Sequence, residues 1–280
     1  MTHAWMPHAT CNESCVRVEA SGIAGRVLRA WRATYRIALA LSLLPAMPLL
    51  AVPLPGQVRA QRVYCRFLLR CLGVRITKSG GPIRNVPGVL VVSPHMSWVD
   101  VLVIGALLPG AFVTKAELVS WPGLGLMARL LKVIPIERAS LRRLPDVVRT
   151  MTERLRAGQT VVAFPEGTTW CGRAYGPFRP AMFQAAIDAG RPVQPLRLTY
   201  HHRDGRPSTM PAYIADDTLG GSFFRLVSAR LTVAHVRVEA LQLPGEDRRD
   251  LSRRCEVAVR GSVVARDGAP AGGGEHALAA

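Results

Sequence analysis

A chain of 280 residues with 36 basic and 19 acidic side chains carries a formal charge of +17 at pH 7. Hydrophobic residues make up 49% and charged residues 20%, which excludes a mostly disordered chain and a collagen-like or disulfide-scaffold protein and leaves room for one or two domains with a sizeable core. Only one uncharged apolar run approaches spanning length, which argues against a polytopic membrane protein.

Nearly all of the basic excess is arginine, since the only lysines are Lys78, Lys115 and Lys132. Guanidinium groups pair well with phosphate, so nucleic acid and anionic lipid headgroups are the natural partners, and compositional bias is the bland alternative. Six cysteines are scattered without a C-x-x-C pair. That spacing does not make a disulfide framework, and reduced thiols are the default expectation. His8, Cys11 and Cys15 offer part of a metal-ligand set in a leader, residues 1–21, that otherwise reads as an irregular, frayed tail, and no metal is expected.

A helical stripe follows, with Ala24, Val27, Leu28, Trp31, Tyr35 and Ala38 on one side and Arg26, Arg29, Arg32 and Arg36 mostly elsewhere. The run from Ile37 to Leu54 carries no charge but is interrupted by Pro45, Pro48 and Pro53. It suits a re-entrant or interfacial hairpin better than a clean span, and a cleaved signal peptide is disfavoured. Arg59, Arg62, Arg66 and Arg70 then recur at one helix face. This charge–apolar–charge order predicts that residues 22–72 form a membrane-associated helical hairpin with its arginines at headgroup level; an ordinary helical pair packed on the core is the alternative.

From Val74 the pattern alternates between short apolar strands and helices. Strands are expected at Val74–Lys78, Gly88–Ser93, Ala111–Thr114, Val133–Ile136, Thr160–Phe164, Val193–Tyr200 and Leu231–Ala240. Helices are expected at Trp98–Leu107, Pro122–Leu131, Leu141–Ala157, Pro180–Ala189, Thr218–Val227 and Asp247–Ala265, with Gly158 capping the third. Continuous apolar strands such as VVAF imply a sheet covered on both faces, hence an α/β domain over residues 73–266. Residues 267–280 are low in complexity and expected to be disordered.

Three strand ends carry polar residues. After the strand GVLVVS comes His95, with Asp100 five residues on; Ser97 as N-cap would place Asp100 in the first helical turn, within reach of one ring nitrogen of His95. A carboxylate there fixes the tautomer and leaves the other nitrogen free as a base. After TVVAF come Pro165, Glu166, Gly167 and Thr168, a turn able to offer N–H groups to an anion, with Glu166 as a candidate to orient a hydroxyl. Arg138 lies just outside the strand IPI and is a candidate phosphate clamp. Each pattern alone also has a plain structural reading, as a helix cap, a tight turn or a solvated charge.

Taken together, H-x-x-x-x-D, the strand-end arginine, F-P-E-G-T and the apolar strand Val193–Leu196 resemble the glycerolipid acyltransferase family, and within it the bacterial 1-acyl-glycerol-3-phosphate acyltransferases. The segments FVTKAEL and WPGLGLMARLL are similar to the family's too. The resemblance implies a mixed α/β sheet flanked by helices, behind an N-terminal membrane-docking helical pair. It implies His95 as general base oriented by Asp100, with acceptor and phosphate binding by Lys115, Arg138, Glu166, Gly167 and Thr168. It implies a lysophospholipid acceptor, acyl-CoA or acyl carrier protein as co-substrate, no cofactor, and work at the cytoplasmic face of the cell membrane on anionic lipid. Thr169 stands where the family usually has an arginine after E-G-T. Arg173 or Arg179, on the same loop, would then supply the phosphate contact, or the acceptor lacks a phosphomonoester, as a lyso-ornithine lipid does. FRPAMF departs from the family's usual Lys and Gly. A nucleic-acid-binding protein is disfavoured because no aromatic-interleaved basic patch occurs. A non-catalytic basic membrane-binding protein is disfavoured because His95 and Asp100 are both present.

Overall fold

The computed structural model describes residues 7–16, 22–51, 56–83, 86–116, 133–137, 141–214 and 217–261. Two helices come first, α1 (Ile23–Ser42) and α2 (Gln57–Cys71). The body follows with β1 (Val74–Gly80), β2 (Leu90–Val92), α3 (Val99–Gly105), β3 (Ala111–Lys115) and β4 (Ile134–Ile136). It continues with α4 (Leu144–Arg156), β5 (Val161–Ala163), α5 (Gln184–Ala189), β6 (Val193–His201), α6 (Leu219–Ser228), β7 (Thr232–Val238) and α7 (Arg248–Arg260). The predicted helix Pro122–Leu131, Arg138 and the 267–280 tail lie outside the described residues.

The seven described strands form one sheet in the order β1-β7-β6-β2-β5-β3-β4. Every pairing is parallel except β6 with β7, so the sheet is mixed. Alternation along the short central strands builds two cores. Val91 and Val162 face the side of Leu69, Val103 and Leu226. Leu90, Val92, Val161 and Ala163 face the side of Met151, Leu155, Phe183 and Leu251. Burial on both faces explains why these strands are apolar throughout.

α4 runs as its spacing predicts, with Met151 and Leu155 fully buried. It ends in a Schellman arrangement: the Gly158 N–H donates to the Leu155 carbonyl at 3.0 Å and the Gln159 N–H to that of Arg154 at 2.9 Å. Gly158 has φ 77, the left-handed backbone this ending requires.

The N-terminal region departs from expectation in two ways. The leader is not frayed over residues 7–16: Cys11 is 5% exposed, and a side chain at Gly167 would meet Pro7 at 2.8 Å. α1, secondly, does not send all of its arginines to headgroup level. Its apolar stripe faces outward, with Val27 65% and Trp31 68% exposed. Arg32 and Arg36 point inward instead. Arg32 donates to the Ser228 carbonyl at 2.8 Å, and Arg36 donates to Val227, Ala229 and Arg230 carbonyls at 2.9, 2.6 and 2.9 Å. These bonds satisfy the carbonyls left free at the end of α6, and hydrogen bonds to a charged donor are worth about 1.5–3 kcal/mol each.

Over its described residues the charge-free run forms no span. α1 ends at Ser42, and short 3-10 turns follow at Leu44–Ala46 and Pro48–Ala51. Gln57 and Tyr64 of α2 donate to the Leu50 and Leu43 carbonyls, closing a helical hairpin. Arg59, Arg62, Arg66 and Arg70 do share one face. With Arg75 and Lys78 they line a groove of about 1540 Å³ beside β1.

Candidate active site

The parallel arrangement of β2, β5 and β3 brings their C-terminal ends to one rim. His95 follows β2 and the Phe164–Thr168 turn follows β5. Val92 pairs with Ala163, so the two loops leave the sheet side by side.

His95 Nδ1 lies 2.9 Å from Asp100 Oδ2, and the ring stacks on Phe164 with centroids 4.0 Å apart. A carboxylate partner requires the proton on Nδ1, so Nε2 carries the lone pair. Asp100 is fully buried and fully used. Its Oδ2 also accepts from the Met96 and Ser97 N–H groups at 2.7 and 2.9 Å, and Oδ1 accepts from the Tyr200 hydroxyl at 2.6 Å. Burial and the neighbouring Asp100 charge hold the Tyr200 phenol well above its usual range, so it stays a donor. The Asp100–Ser97 N–H bond is the reach-back expected of a capping pair. The helix itself starts one residue later than predicted, with Trp98 as N-cap, and the Ser97 hydroxyl accepts from Val99 N–H at 3.3 Å.

The second turn holds the first. Glu166 Oε2 accepts from the His95 N–H at 2.9 Å, and the Trp170 N–H donates to the His95 carbonyl at 2.8 Å. The other Glu166 oxygen accepts from Arg260 of α7 at 3.0 Å. Burial pushes the Glu166 carboxyl up to about 8, against the pull of the His95 N–H, the Arg260 charge and the Gly176 N–H. Arg260 also donates to the Gly176 carbonyl and to Glu256, and lies over the Tyr175 and Phe178 rings. The residue that sequence reasoning marked to orient a hydroxyl is thus 2% exposed, with both oxygens bonded inside the protein. It orients His95.

A cavity of about 640 Å³ opens over His95, lined also by Glu166, Trp170, Arg173, Tyr200, His202 and Arg206. Of the predicted residues, His95, Glu166 and Arg173 line this cavity and Asp100 supports it from beneath. Gly167 and Thr168 do not line it; Gly167, with φ 72, closes the turn under Pro7. Lys115 ends β3, with β5 standing between β3 and β2, and is outside the lining. The Thr169 hydroxyl donates to the Tyr213 carbonyl, a bond that leaves it no part as a cation substitute. Sequence reasoning missed Tyr200 and Arg206. The signal for Tyr200 was its place as the one polar member of the buried alternation Leu196, Leu198, Tyr200 on β6. Arg206 lies beyond that strand, and nothing local marked it.

A family model described as Acyltransferase matches residues 75–199. A 1-acyl-sn-glycerol-3-phosphate acyltransferase of Neisseria meningitidis serogroup B is 37% identical over 182 residues, 64% of this chain and 71% of that protein. The chain belongs to the acyltransferase family. A lyso-ornithine lipid O-acyltransferase of Pseudomonas aeruginosa is 33% identical over 208 residues, 74% of this chain and 79% of that protein. The crystal structure of the 1-acyl-sn-glycerophosphate acyltransferase PlsC from Thermotoga maritima superposes with a TM-score of 0.63, covering 84% of this chain and 94% of that one, at 18% identity. It shares the acyltransferase fold, with the mixed sheet expected from sequence.

Two substitutions test this support. Arg260→Ala leaves a buried Glu166 oxygen and the Gly176 carbonyl without their donor and is expected to cost about 1–3 kcal/mol of folding stability in urea unfolding. Tyr200→Phe removes one donor from Asp100 and keeps the ring; about 1.5–3 kcal/mol should be lost in the same measurement. A variant as stable as wild type would show that the bond in question contributes nothing.

Proposed function

We propose that this acyltransferase moves a fatty acyl group from acyl-CoA or acyl carrier protein to the free hydroxyl of 1-acyl-glycerol-3-phosphate, giving phosphatidic acid. The observation that carries the reading is the His95–Asp100 pair at the floor of an open cavity. His95 Nε2 takes the proton of the acceptor hydroxyl, and that oxygen attacks the thioester carbonyl. The C–O bond forms, the C–S bond breaks, and the imidazolium returns its proton to the departing thiolate. Asp100 holds the ring and stabilises its charged form during the transfer. Arg173 and Arg206 are the cavity's cations available to a phosphate, with Lys115, Arg138, Gly167 and Thr168 kept as acceptor-binding candidates on the family resemblance. No metal or organic cofactor enters this chemistry.

The second reading is acylation of a lyso-ornithine lipid. It is favoured by Thr169, whose hydroxyl is spent on a backbone carbonyl where a phosphate-binding arginine would serve the first reading. Acyl transfer from acyl-CoA to lysophosphatidate and to lyso-ornithine lipid, run in parallel, separates the two. Transfer to lysophosphatidate supports the first; transfer to the other acceptor alone assigns the second. In either case His95→Ala should lower turnover by about 100- to 10,000-fold with the fold intact. Activity that survives this change sinks the mechanism.

The enzyme works, in this reading, at the cytoplasmic face of the cell membrane. Among the described residues no helix is long and apolar enough to cross a bilayer. The outward stripe of α1 (Ile23, Val27, Leu28, Trp31 and Tyr35) is a contiguous apolar face that suits an interfacial helix. Arginines lining the α2 groove supply attraction to anionic headgroups. Sedimentation with phosphatidylglycerol-containing vesicles should bring the protein down. The double variant Val27→Glu, Trp31→Glu should stay in the supernatant. Equal sedimentation of the two would place the membrane contact elsewhere.

A further inference from the structure

Cys11 and Cys15, which the sequence already grouped, meet a third thiol beside the active-site loop. The sulfurs of Cys11, Cys15 and Cys171 all lie within 4.8 Å of one another. Cys11 is 5% and Cys171 1% exposed, and Cys15 is half-buried. Two come from the leader; the third comes from the loop after the Phe164–Thr168 turn.

Backbone N–H groups face two of the three sulfurs. The Cys171 N–H donates to Cys11 Sγ at 3.4 Å. Cys171 Sγ accepts from the Arg173 and Ala174 N–H groups, as the chain turns back over its own sulfur at Gly172, φ 81. Backbone N–H groups aimed at sulfur spread thiolate charge without adding a counter-ion, and they hold the ligands in place before a metal arrives. A disulfide would use two of the three sulfurs and strand the third in a buried site.

We propose that Cys11, Cys15 and Cys171 bind a single thiophilic divalent cation, Zn²⁺, that pins the leader to the active-site loop. Soft thiolate ligands select Zn²⁺ over the hard cations of the cell. With Zn–S bonds of about 2.3 Å, tetrahedral sulfurs stand roughly 3.8 Å apart, so the three need only draw together slightly. Each thiol gives up its proton on ligation, so three H⁺ leave as the three Zn–S bonds form. The fourth position falls to water or to His8, which is exposed three residues before Cys11. The site adjoins the reacting centre: Cys171 is among the residues lining the cavity over His95, and it follows Trp170, whose N–H holds the His95 carbonyl. Its work is structural: it ties Pro7, seated on Gly167, and the Trp170–Arg173 wall of the cavity into one unit.

The full chain, purified without a metal-affinity tag and dialysed after exposure to Zn²⁺, should carry about one Zn²⁺ per chain by elemental analysis. Cys15→Ser and Cys171→Ser should lose it, while Cys71→Ser, on α2, should retain it. Should the buried Cys171 variant fail to fold, the half-buried Cys15 variant and the wild type still decide. Co²⁺ added to the wild-type protein should give the near-ultraviolet thiolate charge-transfer band and the visible bands of a tetrahedral site. A wild type without bound zinc and without those bands overturns the proposal. So does zinc content unchanged in Cys15→Ser, or a Cys11–Cys171 disulfide in the freshly isolated protein.

Discussion

A fully buried carboxylate with four donors sets the form of this active site. Left alone, a carboxylate in such surroundings would take up a proton or reject burial. Asp100 meets one ring N–H, two backbone N–H groups and one phenol instead. Each donor comes with a positional demand. The N–H pair fixes the loop between β2 and α3, the phenol requires β6 to run past its neighbours as far as Tyr200, and the ring is left with one orientation. The geometry of the His95–Asp100 pair is therefore a by-product of satisfying a buried charge, which is why it can be rigid while sitting on a loop.

A second buried carboxyl group holds the same histidine from the other side. Glu166 binds the His95 backbone and Arg260, so the C-terminal end of α7 is wired to His95 through one residue. The F-P-E-G-T segment thereby positions His95 from within the protein. Its glycine is in keeping with this: Gly167 turns the chain and makes room for Pro7 rather than lining the cavity.

Much of this was legible in the sequence, for local reasons. All seven described strands lie where they were expected, and the central β2 and β5 were the plainest, because a strand buried on both faces has no polar alternative. The His95–Asp100 contact was legible because five residues with a helix start between them leave few geometries. What sequence could not give depends on distance along the chain. Cys171 stands 160 residues from Cys11, Arg260 stands 94 from Glu166, and Tyr200 stands 100 from Asp100. The place of Arg32 and Arg36 was misjudged for a related reason. An amphipathic pattern says that two faces differ, and arginines beside an apolar stripe suggest headgroups, but the carbonyls that Arg32 and Arg36 serve are supplied by the end of α6, which no local pattern announces.

Those same bonds dictate an order of assembly. Arg32 and Arg36 reach acceptors 191 to 196 positions further on, and β1 pairs with β7, the last strand of the sheet. Synthesis delivers α1 long before either partner exists. Through most of translation Arg32 and Arg36 therefore lack their carbonyl partners, while the apolar stripe is open both before and after they find them, so α1 gains its seat on the body last and can meet lipid first.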